Sequence, residues 1–332
     1  MSKSIPKPVT IGKYLDGIYS SLALLAGMQL DVFSVLRDEP RSAEEIAGQL
    51  KVDAKQLRFL LYALVAAELL TVSEGRFANT EESTFYLAKG GPGYFGDIHS
   101  VIAPMWQAAF LTAETIRTGI PQHKVEYDMD VLPEAEIAAF HGMHKLSMMS
   151  VRNLTGYVDF SQHRHIVDIG GGTGAIAIGI AQAFPELQAT VVDLPSITSI
   201  TEQFVQKSPA KSRIRILSEN VVKKPLQGNY DAAILRAFTQ VLAADDARAA
   251  IKNTASALIP GGKMYIVAQV LDDSRSEPAV VALANLAFLS LYEGGQAYTE
   301  SEYRTWLEDA GFTDVKREML TRNDTIISAT KV

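Results

Sequence analysis

Eight residues constrain this chain most: Val167-Asp168-Ile169-Gly170-Gly171-Gly172-Thr173-Gly174, a glycine-rich turn wedged between a strand pattern and a helix pattern. Glycines there let the backbone bend sharply and let a ligand approach with no Cβ in the way. The helix N-terminus behind them favours a carboxylate or phosphate. After Phe160, strand and helix patterns alternate. Strands are predicted at 165–169, 189–193, 213–217, 230–235, 263–270, 314–320 and 325–330. Helices fit at 175–184, 197–207, 244–258 and 300–310. The alternation predicts an α/β fold with a Rossmann-like, doubly wound parallel sheet. Only residues 321–324 separate the last two strands, so they are predicted to form an antiparallel terminal hairpin.

The turn also indicates its ligand. A nucleotide fold of this kind places an acid about 20 residues further on, for the ribose hydroxyls. Asp193 stands there, at the end of the second predicted strand. Nicotinamide sites use G-x-G-x-x-G, whereas Gly170, Gly172 and Gly174 give G-x-G-x-G preceded by Asp168. An acid there sits badly beside a pyrophosphate but attracts the ammonium of a methionine moiety, directly or through water. With the terminal hairpin, this favours S-adenosylmethionine as the cofactor.

The first hundred residues read differently. Apolar residues recur at helical spacing over 11–37. Ser42-Ala-Glu-Glu45 is a capping box for a short helix to about 50, and Asp53 caps a helix to about 70. Residues 71–77 suggest two short strands around a glycine turn, completing a winged-helix pattern. Its second helix offers Lys55 and Arg58 and then a long apolar face, whereas a recognition helix carries several polar and basic residues. The formal net charge of −7 likewise argues against a nucleic-acid partner. A dimerisation module is expected instead, its apolar surface covered by a second subunit. Residues 101–157 read as helical, broken near 119–121 and 132–133. The expected organisation is thus 1–100 a winged-helix dimerisation domain, 101–160 a helical connector lining the substrate pocket, and 161–332 the cofactor domain.

There is no cysteine, which removes disulfides and thiolate metal sites. His163 and His165 have no acid pair at ligand spacing, so no metal is expected. The opening residues show no leader pattern, and no run reaches the ~18 apolar residues of a membrane helix. A cytoplasmic protein without membrane partners is expected.

Asp-Ile-Gly-Gly-Gly-Thr-Gly at 168–174, Val-Asp-Leu-Pro at 192–195, Pro-Gly-Gly-Lys at 260–263 and Tyr-Thr-Glu-Ser-Glu-Tyr at 298–303 resemble the class I S-adenosylmethionine-dependent O-methyltransferases of the caffeic acid and acetylserotonin type. The likeness extends over almost the whole chain. It implies a homodimer formed through the winged-helix domain. It also implies that Asp168, Gly170 and Gly172 face the methionine part, Asp193 the ribose, and Leu194, Asn220 and Val221 the adenine. Met143, Ser147 and Arg236 match positions near the cofactor.

The pattern breaks where that family removes a proton from a phenol. Gln240 falls where the family has its general-base His, while Gln269 and Ala297 fall where two glutamates orient it. None of the three is basic near pH 7. Three readings stay open. A methyltransferase can act by proximity and orientation on an already reactive nucleophile such as a thiol, acidic phenol or enol. The base can have moved, with His141, His144, Tyr292 and Tyr298 as candidates. Or the bound sulfonium serves non-methylating chemistry: decarboxylation, hydroxylation or a pericyclic step. Substrate is expected against Met105, Trp106, Phe140, Phe288 and Tyr292, with Ile102, Phe110, Asn285 and Leu289 nearby. That apolar set suits a small aromatic or polyketide-like molecule. Gln240 and Gln269 can hydrogen-bond a substrate carbonyl or hydroxyl.

Overall fold

A computed structural model describes residues 6–332; Met1–Ile5, where the opening segment begins, lie outside the described residues. The chain forms two compact units that divide between Ala103 and Pro104.

The first unit holds α1 (Val9–Gln29), α2 (Val32–Val35), β1 (Arg41–Ser42), α3 (Ala43–Leu50), α4 (Ala54–Ala66), β2 (Leu70–Ser73), β3 (Arg76–Asn79) and α5 (Glu81–Tyr86). The expected 11–37 helix is interrupted: Asp31 takes a left-handed φ of 61°, so α1 ends and α2 restarts. The capping box forms, with Ser42 and Glu45 exchanging backbone-to-side-chain hydrogen bonds. Asp53 caps α4, which stops at Ala66 because Glu68 is also left-handed. The three short strands order β1-β3-β2, giving the wing. Phe33, Ile46, Leu61, Leu64 and Phe77 fill its core. Along α1, Tyr14, Leu15 and Tyr19 stay exposed, as do Phe59 and Tyr62 on α4.

Helix α6 (His99–Ala109) leads into the second unit, followed by α7 (Thr112–Thr118) and α8 (Glu134–Tyr157). The expected breaks merge into one extended strap over 119–133. Then come β4 (His165–Ile169), α9 (Ala175–Ala183), β5 (Gln188–Asp193), α10 (Pro195–Val205), β6 (Ile214–Ser218), β7 (Tyr230–Arg236), α11 (Ala244–Ala255), β8 (Leu258–Ala268), β9 (Val270–Leu271), α12 (Ala279–Leu291), β10 (Tyr298–Thr299), α13 (Glu300–Asp309), β11 (Phe312–Met319) and β12 (Thr325–Lys331). Seven strands order β11-β12-β8-β7-β4-β5-β6. β4, β5, β6, β7 and β8 are mutually parallel, and β12 is antiparallel to both β8 and β11. The doubly wound sheet with its antiparallel hairpin is therefore present. Helix α12 was not separately expected, because its sequence is apolar on every side and shows no periodic face.

Strand alternation sorts the core into two layers. Val167, Ile169 and Leu235 join Ile251, Tyr303 and Leu307 on the α11/α13 face. Ile166, Val191 and Ile234 pack with Leu154, Ile178 and Ile180 on the α8/α9 face. No described helix is long and apolar enough to cross a membrane.

Candidate active site

The order β7-β4-β5 makes β4 the crossover strand, where chain direction around the sheet reverses. A crevice opens beyond the carboxyl ends of the strands at such a point. Three charged residues stand there at successive strand ends: Asp168 on β4, Asp193 on β5 and Arg236 on β7. Each follows the alternation of its strand and points to the α8/α9 face.

Asp168 is fully buried beneath the glycine turn. Its Oδ2 accepts a hydrogen bond from Ala177 N at 3.2 Å, satisfying a free donor in the first turn of α9. Burial pushes its carboxyl up to about 7; the Ala177 hydrogen bond opposes this and the Asp193 charge adds to it. Asp193 Oδ2 accepts from Gly172 N at 2.7 Å and Oδ1 from Leu194 N at 2.8 Å. Burial raises it to about 6 against those two hydrogen bonds. Gly170 (φ 62°), Gly172 (φ 56°) and Gly174 (φ 73°) all lie in the left-handed region. A Cβ on Gly170 would collide with the Phe238 ring, and one on Gly172 would come within 3.3 Å of Phe140.

The turn is braced from two helices. Thr201 on α10 donates to Gly172 O at 2.5 Å. His144 Nδ1 on α8 lies 2.7 Å from Thr173 Oγ1, and its ring stacks on Phe204 at 4.0 Å. Burial, with His141 nearby, lowers His144 to about 4, so it is neutral at pH 7. One turn along α8, Ser147 and Ser150 accept from Arg236 Nη1 and Nη2 at 3.1 and 3.0 Å. Arg236 Nε is buried without a partner. Met143 packs with Leu132, Phe140, Ile197 and Leu194. Asn220 Oδ1 accepts from Val222 N, and Val221 is buried beside it.

These residues suit a nucleoside with a cationic tail. Asp193 keeps lone pairs beyond its two backbone hydrogen bonds, Leu194 is half-buried next to it, and Asp168 lies beneath the turn with its carboxyl raised to about 7. Arg236 is committed to two serines, so it is poorly placed to meet a pyrophosphate.

The strap falls within the 101–160 connector expected to line the substrate pocket, but none of its residues was singled out, because residues 119–133 carry no periodicity. It crosses the carboxyl end of the sheet. Val125 N donates to Leu291 O at 2.9 Å, Ser196 Oγ to Tyr127 O at 2.5 Å, and Lys223 Nζ to Asp128 at 2.6 Å. Tyr127 packs on Phe140 with ring centroids 5.8 Å apart, and its hydroxyl lies 3.4 Å from that of Tyr292. Burial raises both phenols, Tyr127 well above the usual range.

Gln240 and Gln269 meet: Gln240 Oε1 accepts from Gln269 N at 3.2 Å. Ala297 N donates to Asn285 Oδ1 at 2.8 Å. Phe288 is buried with Leu271, Val281 and Ala297, and Tyr292 packs against them. Met105 and Trp106 are half-buried on α6, and Phe110 is exposed. His163 and His165 hydrogen-bond Tyr265 and Thr190, and no described group of three or more His, Cys, Asp or Glu side chains is arranged to hold a metal.

Residues 117–313 match the model of the O-methyltransferase domain, and residues 13–89 that of the O-methyltransferase dimerisation domain. The chain is 30% identical over 313 residues to the 3-hydroxy-5-methyl-1-naphthoate 3-O-methyltransferase of Streptomyces sahachiroi, covering 93% of this chain and 90% of that one. It is 28% identical to the tetracenomycin polyketide synthesis 8-O-methyl transferase TcmO of Streptomyces glaucescens, covering 93% and 92%. The fold matches that of human N-acetylserotonin methyltransferase, solved in complex with SAM, with a TM-score of 0.85 at 22% identity, covering 100% and 99%. The chain belongs to the O-methyltransferase family of S-adenosylmethionine-dependent methyltransferases and carries that family's dimerisation domain.

Proposed function

We propose that this chain transfers a methyl group to a small aromatic or polyketide-like molecule, or to another already reactive nucleophile such as a thiol, without a His base. One observation carries the reading: an acidic glycine cradle, whose Gly170 abuts Phe238, occurs in a chain that has Gln240, two residues beyond Phe238, paired with Gln269, and their amides cannot take up a proton at neutral pH. The names of the two Streptomyces relatives, a naphthoate and a polyketide-pathway methyltransferase, support the substrate class.

S-adenosylmethionine supplies, when bound, an electrophilic methyl group on a positively charged sulfur. Asp193 would accept its ribose hydroxyls, Leu194, Asn220 and Val221 would frame its adenine, and Asp168 would draw its ammonium. Gly170 and Gly172 let the backbone approach. Met143, Ser147 and Arg236 form the wall contributed by α8 and β7. His144 we assign as a positioning residue that holds Thr173, since a neutral ring tied at Nδ1 is a weak base. Met105, Trp106, Phe140, Phe288 and Tyr292 would line the acceptor side and align the nucleophile. Such orientation can supply about 7–11 kcal/mol of a barrier. Exposed aromatic and apolar side chains on α1 and α4 support a homodimer through the first unit.

Incubation with methyl-labelled S-adenosylmethionine and candidate acidic phenols, thiols and polyketides tests this. One S-adenosylhomocysteine should appear per labelled product. A changed substrate without S-adenosylhomocysteine would replace methyl transfer by the non-methylating reading.

A further inference from the structure

The substitutions that remove the base also build something. Val270 pairs with Tyr298, and Gln269 and Ala297 are the residues just before this parallel pairing. The backbone N–H of each holds a side-chain amide by its oxygen: Gln269 N holds Gln240 Oε1, and Ala297 N holds Asn285 Oδ1. A Cβ on Gly295 would come within 2.9 Å of the backbone carbonyl of Gln240, so the loop before Ala297 lies close to Gln240. An amide fixed by its oxygen turns its NH2 the other way. Among the described residues neither Gln240 Nε2 nor Asn285 Nδ2 donates to any protein acceptor. Asn285 shares a helical face with Phe288, three residues on. Gln269 Oε1 is buried with no hydrogen-bond partner.

We propose that Gln240 and Asn285 are two aligned donors for an oxyanion, and that the acceptor substrate is an oxygen acid that arrives already ionised: a hydroxyquinone or an enolised 1,3-dicarbonyl. This rests on the methyl-transfer reading above and narrows its substrate. Such an anion spreads its charge over two oxygens through the conjugated carbonyl, and two amide N–H donors match it. The proton leaves to solvent before binding. A lone pair of the substrate oxygen then forms the O–CH3 bond as the S–CH3 bond breaks with its electrons staying on sulfur. The products are a methyl ether and a neutral thioether, and no protein base is required. An ordinary phenol is mostly protonated at pH 7 and finds no group here to take its proton.

The probe is 2-hydroxy-1,4-naphthoquinone, whose anion has its own visible absorption band. Titrated with enzyme across pH, the bound probe should stay anionic to a pH about one unit or more below the free molecule's midpoint. Asn285→Asp and Gln240→Glu keep the acceptor for the backbone N–H but replace the donor by a negative charge. Both should return the bound midpoint to or above the free value and lower kcat/KM on the probe by roughly 100- to 1,000-fold. A bound probe with an unshifted or raised midpoint in the unaltered enzyme overturns the proposal without reference to any variant. So does methylation of 1-naphthol as fast as of the hydroxyquinone, which leaves the methyl-transfer reading standing. A lowered midpoint without S-adenosylhomocysteine from any acceptor supports the donor pair and removes the methyl-transfer reading instead.

Discussion

Asp193 Oδ2 lies 2.7 Å from the backbone nitrogen of Gly172, so the end of the second parallel strand holds the glycine turn that follows the first. That one contact couples the acid proposed for the ribose to the shape of the loop. Asp193→Asn would set an amide NH2 against one of the two backbone donors. Affinity for S-adenosylmethionine should fall roughly 10- to 100-fold, as for loss of a charged hydrogen bond. The melting temperature should change little, because the buried charge is removed as well. Calorimetry and thermal melts on the same preparations check both halves.

The two buried acids predict a pH dependence. Burial raises Asp168 to about 7 and Asp193 to about 6, both above their unfolded values. Their contribution to stability is therefore full below the unfolded carboxylate range and lost as pH rises through about 6 and 7. A bound cation favours the ionised forms, so binding releases protons. Affinity for S-adenosylmethionine should rise from pH 5 to 7, and the gap between liganded and free melting temperatures should widen. A gap that narrows over that interval would contradict the assignment of both acids to the cofactor.

His144 separates positioning from base catalysis. His144→Phe keeps the stacking on Phe204 and loses the Thr173 hydrogen bond. The Michaelis constant for the cofactor should rise about 2- to 10-fold, with kcat nearly unchanged and the pH profile unmoved. A fall in kcat of roughly 100-fold or more would make His144 the general base.

Tyr127 anchors the strap by its ring more than by its hydroxyl. Tyr127→Phe gives up a long 3.4 Å contact and should leave kcat/KM within about 3-fold. Tyr127→Ala removes the packing on Phe140 and should raise both Michaelis constants by roughly 10-fold or more. Equal effects of the two substitutions would shift the importance to the phenol.

Gln240→His restores the residue type expected of a phenol-deprotonating relative. The ring is close in size to the amide it replaces, so folding should be preserved, and with Gln269 N left unengaged the ring's unprotonated nitrogen is available as a base. Activity on ordinary phenols should rise, and more so in combination with Gln269→Glu. Parallel assays on an ordinary phenol and a hydroxyquinone measure the change, and no gain on the phenol would mean that position 240 is misassigned.

The sequence alone determined whatever follows from local spacing. The glycine turn, the Ser42–Glu45 capping box, the alternation of strands with helices after Phe160 and the short link before β12 were legible, because caps, periods and turn lengths act within a few residues. Two left-handed breaks, at Asp31 and Glu68, were not, since Glu rarely takes that conformation and Asp takes it at only a minority of its positions. Only the tertiary structure decided that Asp168 turns under α9, that Arg236 is clamped to Ser147 and Ser150, and that Tyr127 meets Tyr292 across 165 positions. It also decided that the backbone at Gln269 and Ala297 orients Gln240 and Asn285. Those pairings depend on strand order and on which face each strand end presents, and residue spacing carries no record of either.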